Sequence, residues 1–207
     1  MRADPGPRPS SSKGLHVFVG NITMFGPKFK HYLETKREHY GAFLVAETHV
    51  IQSKADGVNI GMKKAGWICY MSHSQQVLDE SKKGPNHHGE GGTMAGALAH
   101  MQSSTVSEWH AGYMIEDFAP MILNIKGCSV CMIAAYLRPG IGMSGRNASR
   151  MQMMAACVSM IRMPWAIYAD WNVEQLTWRR VAGSQSWLGD SFGQKVCSLP
   201  ASWEARD

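Results

Sequence analysis

The stretch PWAIYADWN, from Pro164 to Asn172, is the most informative part of the sequence. A proline precedes a run of β-prone apolar residues, and this pattern predicts a buried strand that ends near Asp170. Asp170 and Asn172 lie two positions apart, so both would project from the same side of an extended chain. A carboxylate beside an amide suits catalysis at a strand end, because the carboxylate can hold a water molecule or a metal ion while the amide orients its neighbour. The same pair is also typical of a turn or a helix cap.

Composition indicates one globular domain with a sizeable core. The chain has 207 residues, of which 44% are hydrophobic and 18% charged. Its net charge of +5 permits a nucleic-acid partner without requiring one. No apolar run approaches 18 residues, so no transmembrane segment is expected. An odd number of cysteines, mostly within apolar runs, favours reduced thiols in an intracellular protein, with nucleus and cytoplasm not distinguished.

The order of predicted elements places the chain in the α/β class. Residues 1–14 are rich in proline and serine and predict a disordered arm, residues 15–174 form the predicted domain, and residues 175–207 form an irregular tail. The predicted helices are Lys28–Tyr40 and Ser144–Ile161, and Gln75–His88 is predicted to be a surface loop. The predicted strands are Leu15–Asn21, Phe43–Glu47, Ala65–Met71, one within Gly91–Met101, Glu108–His110, Tyr113–Phe118, Met121–Lys126, Cys128–Tyr136 and Trp165–Asp170. Such an order suits mostly antiparallel sheets covered by helices.

Polar side chains gather where the apolar strands end. Asn21, Glu47, Tyr136, Asp170 and Asn172 each follow such a strand and face a connecting loop. Carboxylate and amide oxygens suit Mg²⁺, which prefers a few carboxylates together with water and substrate phosphate. Phosphoryl-transfer chemistry needs little more than this metal, a positioned water molecule and hydrogen-bond donors for the phosphate oxygens.

These strand ends resemble those of the endonuclease/exonuclease/phosphatase superfamily, which includes the DNase I-like and exonuclease III-like enzymes. The matching segments, in the same order, are Gly20–Thr23 (GNIT), Val45–Thr48 (VAET), Ala135–Pro139 (AYLRP) and Tyr168–Asn172 (YADWN). The resemblance covers about Leu15 to Val173 and is strongest to the apurinic-type and retrotransposon-type endonucleases. It implies a four-layer α/β sandwich of the DNase I-like type.

The resemblance also implies a role for each polar residue. Glu47 would bind Mg²⁺, or Mn²⁺ in its place, with Asn21 and Asp170 completing the metal site. Tyr136 would donate a hydrogen bond to a phosphate oxygen or stand near the leaving group. Asp170 would position or deprotonate the attacking water, and Asn172 would orient Asp170 and the phosphate.

The sequence departs from the superfamily pattern in two places. Ala169 stands where the family has glycine, a tolerable change. The family also ends with a Ser-Asp-His element, whose histidine binds the scissile phosphate, whereas the last of the nine histidines in this chain is His110. We therefore expect weak hydrolysis and a sandwich that is incomplete at its C-terminal end, with an uncovered sheet that favours self-association.

Three functional hypotheses follow from these patterns. The first is a Mg²⁺-dependent phosphodiesterase acting on nucleic acid, with DNA favoured, because the chain is basic and its first predicted helix is rich in lysine. The second is a phosphomonoesterase acting on a phosphorylated lipid or small molecule. The third is an inactive, truncated remnant, which the missing histidine favours.

Overall fold

The computed structural model describes residues 14–78, 87–106, 116–125 and 127–172. The helices are α1 (Pro27–Thr35), α2 (Gln52–Lys64) and α3 (Gly145–Met160). The strands are β1 (Val17–Asn21), β2 (Ala42–Ala46), β3 (Trp67–Ser72), β4 (Gln75–Leu78), β5 (His87–Glu90), β6 (Thr93–Leu98), β7 (Gln102–Ser104), β8 (Phe118–Ile125), β9 (Cys128–Tyr136) and β10 (Trp165–Asp170). Outside the described residues lie the predicted N-terminal arm up to residue 13, the predicted C-terminal tail, the predicted strand Glu108–His110 and most of the predicted strand Tyr113–Phe118.

Two four-stranded sheets form the centre of the molecule. The first has the order β1-β2-β6-β3 and the second has the order β10-β9-β8-β7, while β4 and β5 form a separate hairpin. The pairs β1–β2 and β9–β10 are parallel, and all other described strand pairs are antiparallel. This arrangement confirms the predicted α/β class with mostly antiparallel sheets.

Three apolar cores stack the elements into four layers. Helices α1 and α2 cover the outer face of the first sheet, where Leu33 and Met62 pack with Phe43, Trp67 and Met94. The inner faces of both sheets meet in a second core that includes Leu44, Ala95, Met121, Leu123 and Met132. Helix α3 covers the outer face of the second sheet, where Met151, Met154 and Val158 pack with Cys131 and Ile133. Each sheet is therefore apolar on both faces, which accounts for the continuous apolar runs in the sequence.

Strand alternation fixes which residues face the space between the sheets. Val17 and Val19 of β1 pack into the inner core, so Asn21 lies on the same face. Met132 and Ala134 of β9 do likewise, which places Tyr136 on that face too. The carboxyl ends of the parallel strands β1, β2, β9 and β10 thus carry their terminal side chains toward one end of the cleft between the sheets.

Several predictions about individual elements were wrong. Helix α2 was not predicted, and the surface loop predicted at Gln75–His88 contains β4 and β5. Helix α1 ends at Thr35 instead of Tyr40, because the chain leaves helical geometry at Lys36 and turns so that the Tyr40 ring packs against Phe18 with centroids 5.7 Å apart. Strands β9 and β10 have the predicted bounds, and α3 differs from its prediction by one residue at each end.

In the described part of the chain, no helix has both the length and the apolar character needed to cross a membrane.

Candidate active site

A hydrogen bond between the two sheets joins two of the predicted site residues, Asn21 and Asp170. The side-chain nitrogen Nδ2 of Asn21 donates to Oδ2 of Asp170 over 2.6 Å, although the two residues are 149 positions apart in sequence. Asn21 ends β1 and Asp170 ends β10, so the bond closes one end of the cleft between the sheets. Asn21 is paired with Ala46 across the parallel strands, and Glu47 follows directly. Asn21, Glu47 and Asp170 therefore share one rim.

Two tyrosines at this rim, Tyr136 and Tyr168, have raised pKa values to which both Glu47 and Asp170 contribute. Burial raises the pKa of Tyr136, and Glu47 raises it further through its charge and a hydrogen bond, followed by the charges of Asp117 and Asp170. Burial also raises the pKa of Tyr168 to about 12, with additional contributions from Asp170 and then Glu47. Asp170 is paired with Tyr136 across the parallel strands, and Glu47 forms a hydrogen bond with Tyr136, so Glu47 and Asp170 lie on the same part of the rim. Both phenols remain protonated and can donate hydrogen bonds at neutral pH.

The backbone around this rim adopts a conformation that non-glycine residues rarely use. All non-glycine residues with positive φ in the described ranges are at or beside the site: Thr23, Glu47, His49, Asp117 and Asn172, with φ between 44° and 61°. Glu47 itself has φ of 56°. Such residues persist only where surrounding contacts hold them, and they cluster at functional sites.

A buried ion pair lies next to the rim and connects two of the segments that form it. Asp117 and Arg150 are almost fully buried and form an ion pair of 2.6 Å, while Gly92 donates its backbone N–H to the other carboxylate oxygen of Asp117 over 2.6 Å. The backbone carbonyl of Asp117 accepts a hydrogen bond from Tyr136 N over 3.0 Å, and the carbonyl of Gly92 accepts one from Thr48 N over 3.1 Å. Asp117 thus connects the strand that carries Tyr136 to the loop that carries Glu47.

Burial has the largest effect on the pKa of Asp117. Desolvation raises the pKa of Asp117, and the charge of Glu116 acts in the same direction. The hydrogen bond from Gly92 and the charges of Arg150 and Arg138 lower it and oppose that effect. Arg150 is therefore one of the groups that keep a buried carboxylate in its charged form.

Asn172 lies at the rim but contacts a different partner from the one predicted. Strand β10 ends at Asp170, and Asn172 has φ of 44°, so the strand alternation that would align the two side chains does not extend to it. Its Nδ2 donates to the backbone carbonyl of Leu137 over 2.9 Å. The observed hydrogen bond to the Asp170 side chain comes from Asn21 instead. Asn172 thus connects the segment that follows β10 to the segment that follows β9 through this hydrogen bond.

The donor chemistry of the rim fits a hard divalent cation. Glu47 and Asp170 supply two carboxylates, and Oδ1 of Asn21 supplies an amide oxygen, which also accepts the backbone N–H of Thr23 over 2.9 Å. In the described ranges, no group of three or more histidine, cysteine, aspartate or glutamate side chains is placed to hold a metal ion. A site with two carboxylates suits Mg²⁺, which retains several of its own waters.

Two residues of the rim were not predicted as site residues. Tyr168 precedes Asp170 by two positions, so strand alternation puts both on the same face, and this spacing could have identified it. Asp117 falls in a segment that was predicted to be a strand, and its role depends on Arg150 and Gly92, which are distant in sequence. No local pattern indicates that contact.

Comparison with known proteins identifies the fold. No protein-family model matches the sequence, and no curated protein matches it. Among solved structures, the endonuclease domain of TRAS1, a telomere-specific non-LTR retrotransposon, has a TM-score of 0.54 at 11% identity, over 84% of this chain and 71% of that one. An endonuclease/exonuclease/phosphatase family protein from Leptotrichia buccalis C-1013-b has a TM-score of 0.52 at 9% identity, over 82% of this chain and 72% of that one. The AP endonuclease LMAP from Leishmania major has a TM-score of 0.50 at 12% identity, over 74% of this chain and 54% of that one.

These similarities establish the class of fold. The chain has the α/β sandwich of the DNase I-like type, as the strand-end segments predicted. Identities of 9–12% show the fold alone, so the function is argued first from the rim itself.

Proposed function

We propose that this chain is a Mg²⁺-dependent phosphodiesterase that acts on nucleic acid, with DNA as the favoured substrate. The observation that carries the proposal is the Asn21–Asp170 hydrogen bond, which joins the ends of the two sheets beside Glu47 and Tyr136. The fold likeness to a retrotransposon endonuclease domain supports a nuclease origin.

Each side chain receives a role from its surroundings. Glu47 and Asp170, with Asn21, would hold Mg²⁺, which supplies charge neutralisation for the phosphate when bound. Because Asn21 engages Oδ2 of Asp170, we assign Oδ1 to the attacking water, which it orients and deprotonates. Tyr136 stays protonated because its pKa is raised, so its hydroxyl serves as a donor to a phosphate oxygen. Asn172 positions the end of β10 through Leu137.

A plasmid-nicking assay tests the proposal. The wild-type chain should nick supercoiled DNA with Mg²⁺ and stop when EDTA is added. Asp170→Ala and Glu47→Ala should each lower the rate about 10²–10³-fold, as is typical when one group that stabilises the transition state is lost. Glu34→Gln is the matched control, because Glu34 is an exposed acid on α1. Nicking that persists unchanged in Asp170→Ala would contradict the assigned site.

Small chromogenic esters separate the proposed activity from the alternatives. A phosphodiesterase should hydrolyse bis(p-nitrophenyl) phosphate faster than p-nitrophenyl phosphate, whereas a phosphomonoesterase should show the reverse preference. Mg²⁺ binding without hydrolysis of either ester or of DNA would favour the inactive remnant.

A further inference from the structure

An open cavity lies at the end of the first sheet that is opposite the candidate active site. Its volume is about 820 Å³, within the range of small-ligand sites. The distal cavity, as we name it, is bordered by His16, Arg37, Glu38, His39, Tyr40 and His100, among others. His16 precedes β1 and Tyr40 precedes β2, whereas Asn21 and Glu47 follow those strands. At about 3.3 Å per residue, the five residues of β1 separate the cavity from the active-site rim by roughly 15 Å.

One exposed guanidinium, that of Arg37, borders this cavity. The guanidinium of Arg37 packs against Gly66, where its carbon lies 3.0 Å from the position that a Cβ atom would occupy. That contact places Arg37 beside the end of α2, which carries Lys63 and Lys64 in its last turn. Within the described ranges, no carboxylate forms an ion pair with Arg37. Arg37 and Glu38 are the only formally charged side chains among the described residues that border the cavity, and three histidines accompany them.

Rings and an apolar floor accompany the Arg37 guanidinium. The imidazoles of His16 and His39 lie with centroids 5.1 Å apart, and the Tyr40 ring meets His39 edge-on at 4.8 Å. Both His16 and His39 are exposed residues. Apolar side chains close the bottom of the cavity: Leu15, Leu98, Met101 and Ile125. The cavity therefore offers the Arg37 guanidinium for a phosphate, and flat rings and apolar surface for a base.

We propose that the distal cavity binds one or two nucleotides of a single-stranded nucleic acid. Proteins bind single strands by combining a cationic surface for the backbone with aromatic rings on which unpaired bases stack. In this assignment Arg37 contacts a phosphate, His39 stacks on a base and the apolar floor receives the edge of that base. A duplex would keep its bases paired and out of the cavity, so an unpaired strand is the better fit.

The same surface is a poor match for a lipid membrane. Membrane-binding surfaces combine basic residues with exposed apolar side chains that enter the bilayer. The large apolar side chains that are exposed in the described ranges are Met24, Ile60, Ile141 and Met160, and none of them borders the cavity.

Binding of a labelled oligonucleotide to the full chain tests this site. Fluorescence anisotropy of a fluorescein-labelled (dT)₂₀ is measured in EDTA with Asp170→Ala protein, so the oligonucleotide is not hydrolysed, and the cavity is tested by the difference that variants of its own residues make. Arg37→Ser combined with His39→Ala should weaken binding about tenfold or more, since stacking alone is typically worth that factor. Loss of the Arg37 contact should also reduce the slope of log K against log salt by about 0.7 in magnitude.

Conservative and matched variants separate binding from a general structural effect. Arg37→Lys combined with His39→Phe keeps a cation and a ring and should retain most of the affinity. Arg162→Ser combined with His31→Ala removes the same residue types from exposed positions that do not border the cavity, and should change the affinity less than twofold. Equal loss in this control pair would overturn the proposal.

Two further measurements keep the proposal falsifiable if a variant folds poorly. A (dT)₂₀ that contains 4-thiothymidine should crosslink under ultraviolet light to peptides that include His39 or His100, and crosslinks confined to other segments would overturn the proposal. Arg37→Ser combined with His39→Ala should weaken binding of duplex DNA of the same length less than it weakens binding of the single strand, because the proposed nuclease rim is unchanged. An equal or larger loss for the duplex, or binding to phosphatidylserine vesicles that is lost in the cavity variant while oligonucleotide binding is kept, would contradict the assigned partner.

Discussion

At the scale of single residues, the buried pair Asp117–Arg150 makes the clearest prediction. The two side chains are only 2% and 7% exposed and lie 2.6 Å apart. Removing one partner of a buried ion pair leaves an uncompensated charge and typically costs about 3–5 kcal/mol. We expect Arg150→Met to lower the free energy of unfolding by that amount at pH 8, as measured by urea denaturation.

The pH dependence of this loss of stability tests whether the missing Asp117–Arg150 ion pair causes it. Arg150 lowers the pKa of Asp117, so Arg150→Met raises the folded-state pKa above its wild-type value. A group whose folded-state pKa lies above its unfolded value stabilises the folded protein at low pH. That contribution is lost as the pH rises through the folded-state pKa. The deficit of Arg150→Met should therefore be smaller at pH 5 than at pH 8. The control Arg146→Met, at an exposed position of the same helix, should change stability by less than about 0.5 kcal/mol at both values. An equal deficit at the two pH values would contradict the electrostatic explanation.

Tyr168 makes a prediction at alkaline pH. Burial, together with Asp170 and Glu47, raises its pKa from 10.0 to about 12, so the folded chain favours the neutral phenol. Stability from this group is complete below pH 10 and is lost as the pH rises toward 12. Tyr168→Phe cannot ionise, so its free energy of unfolding should fall less steeply than that of the wild type between these values. Parallel curves in denaturant titrations would show that burial and the two carboxylates do not raise the pKa of Tyr168 in the folded chain.

At the scale of structural elements, the turn Gly91–Gly92 positions the loop after β2. Gly92 has φ of 83°, and a Cβ atom there would lie 2.6 Å from Oγ1 of Thr48 and closer still to Oγ of Ser74. Gly92→Ala should therefore destabilise the chain, by at least about 1 kcal/mol for the backbone conformation alone. Gly57→Ala is the matched control, because Gly57 lies within α2 with no atom within 4 Å of the added Cβ.

The two alanine substitutions should change the free energy of unfolding in opposite directions. Gly57→Ala should raise the free energy of unfolding by roughly 0.5–1 kcal/mol, because alanine is the better helix former. Thermal melts followed by circular dichroism measure both effects. A Gly92→Ala variant that is as stable as the wild type would mean that this turn is not required to hold the loop that carries Glu47.

Elements with strong local patterns could be predicted from the sequence, and those without could not. Strand β10 follows Pro164 and ends on Asp170, and α3 starts after Ser144, so breakers and apolar periodicity marked their bounds. Helix α2 begins after Ile51, which provides no capping side chain, and contains Gly57 and Gly61. Its helical state depends on packing against the first sheet through Ala55 and Met62, a tertiary effect that local propensity does not reveal.

The site could be predicted in part for the same reason. Asn21, Glu47, Tyr136 and Asp170 stand at strand ends, and parallel strands bring their carboxyl ends to a common edge. The conformation of Asn172 and the support from Asp117 depend on positive φ angles and on contacts with distant residues. Such contacts form only in the folded chain, so no periodicity in the sequence indicates them.

At the scale of the whole molecule, the proposed site predicts slow turnover. The resemblance assigns a phosphate-binding histidine to a Ser-Asp-His element, and this chain has no histidine after His110. Loss of one donor to the transition state typically costs about 10²–10³-fold in rate. Single-turnover nicking should therefore be slower by that factor than in a superfamily enzyme with the histidine, such as a purified apurinic endonuclease assayed in parallel. Equal rates, with Asp170→Ala silent, would show that another group replaces the histidine.

Calorimetric titration with Mn²⁺, used as a tighter-binding substitute for Mg²⁺, tests the central claim most directly. The claim is that the two sheets bring Glu47 and Asp170 to one rim, where they share a single divalent ion. The wild-type chain should bind one Mn²⁺, and Glu47→Gln and Asp170→Asn should each weaken that binding at least tenfold, while Glu34→Gln leaves it unchanged. Because both carboxylates would hold the same ion, the double variant should lose less than the sum of the two single losses in binding free energy. Wild-type affinity in either single variant, or no stoichiometric binding to the wild type, would contradict a metal site at this rim.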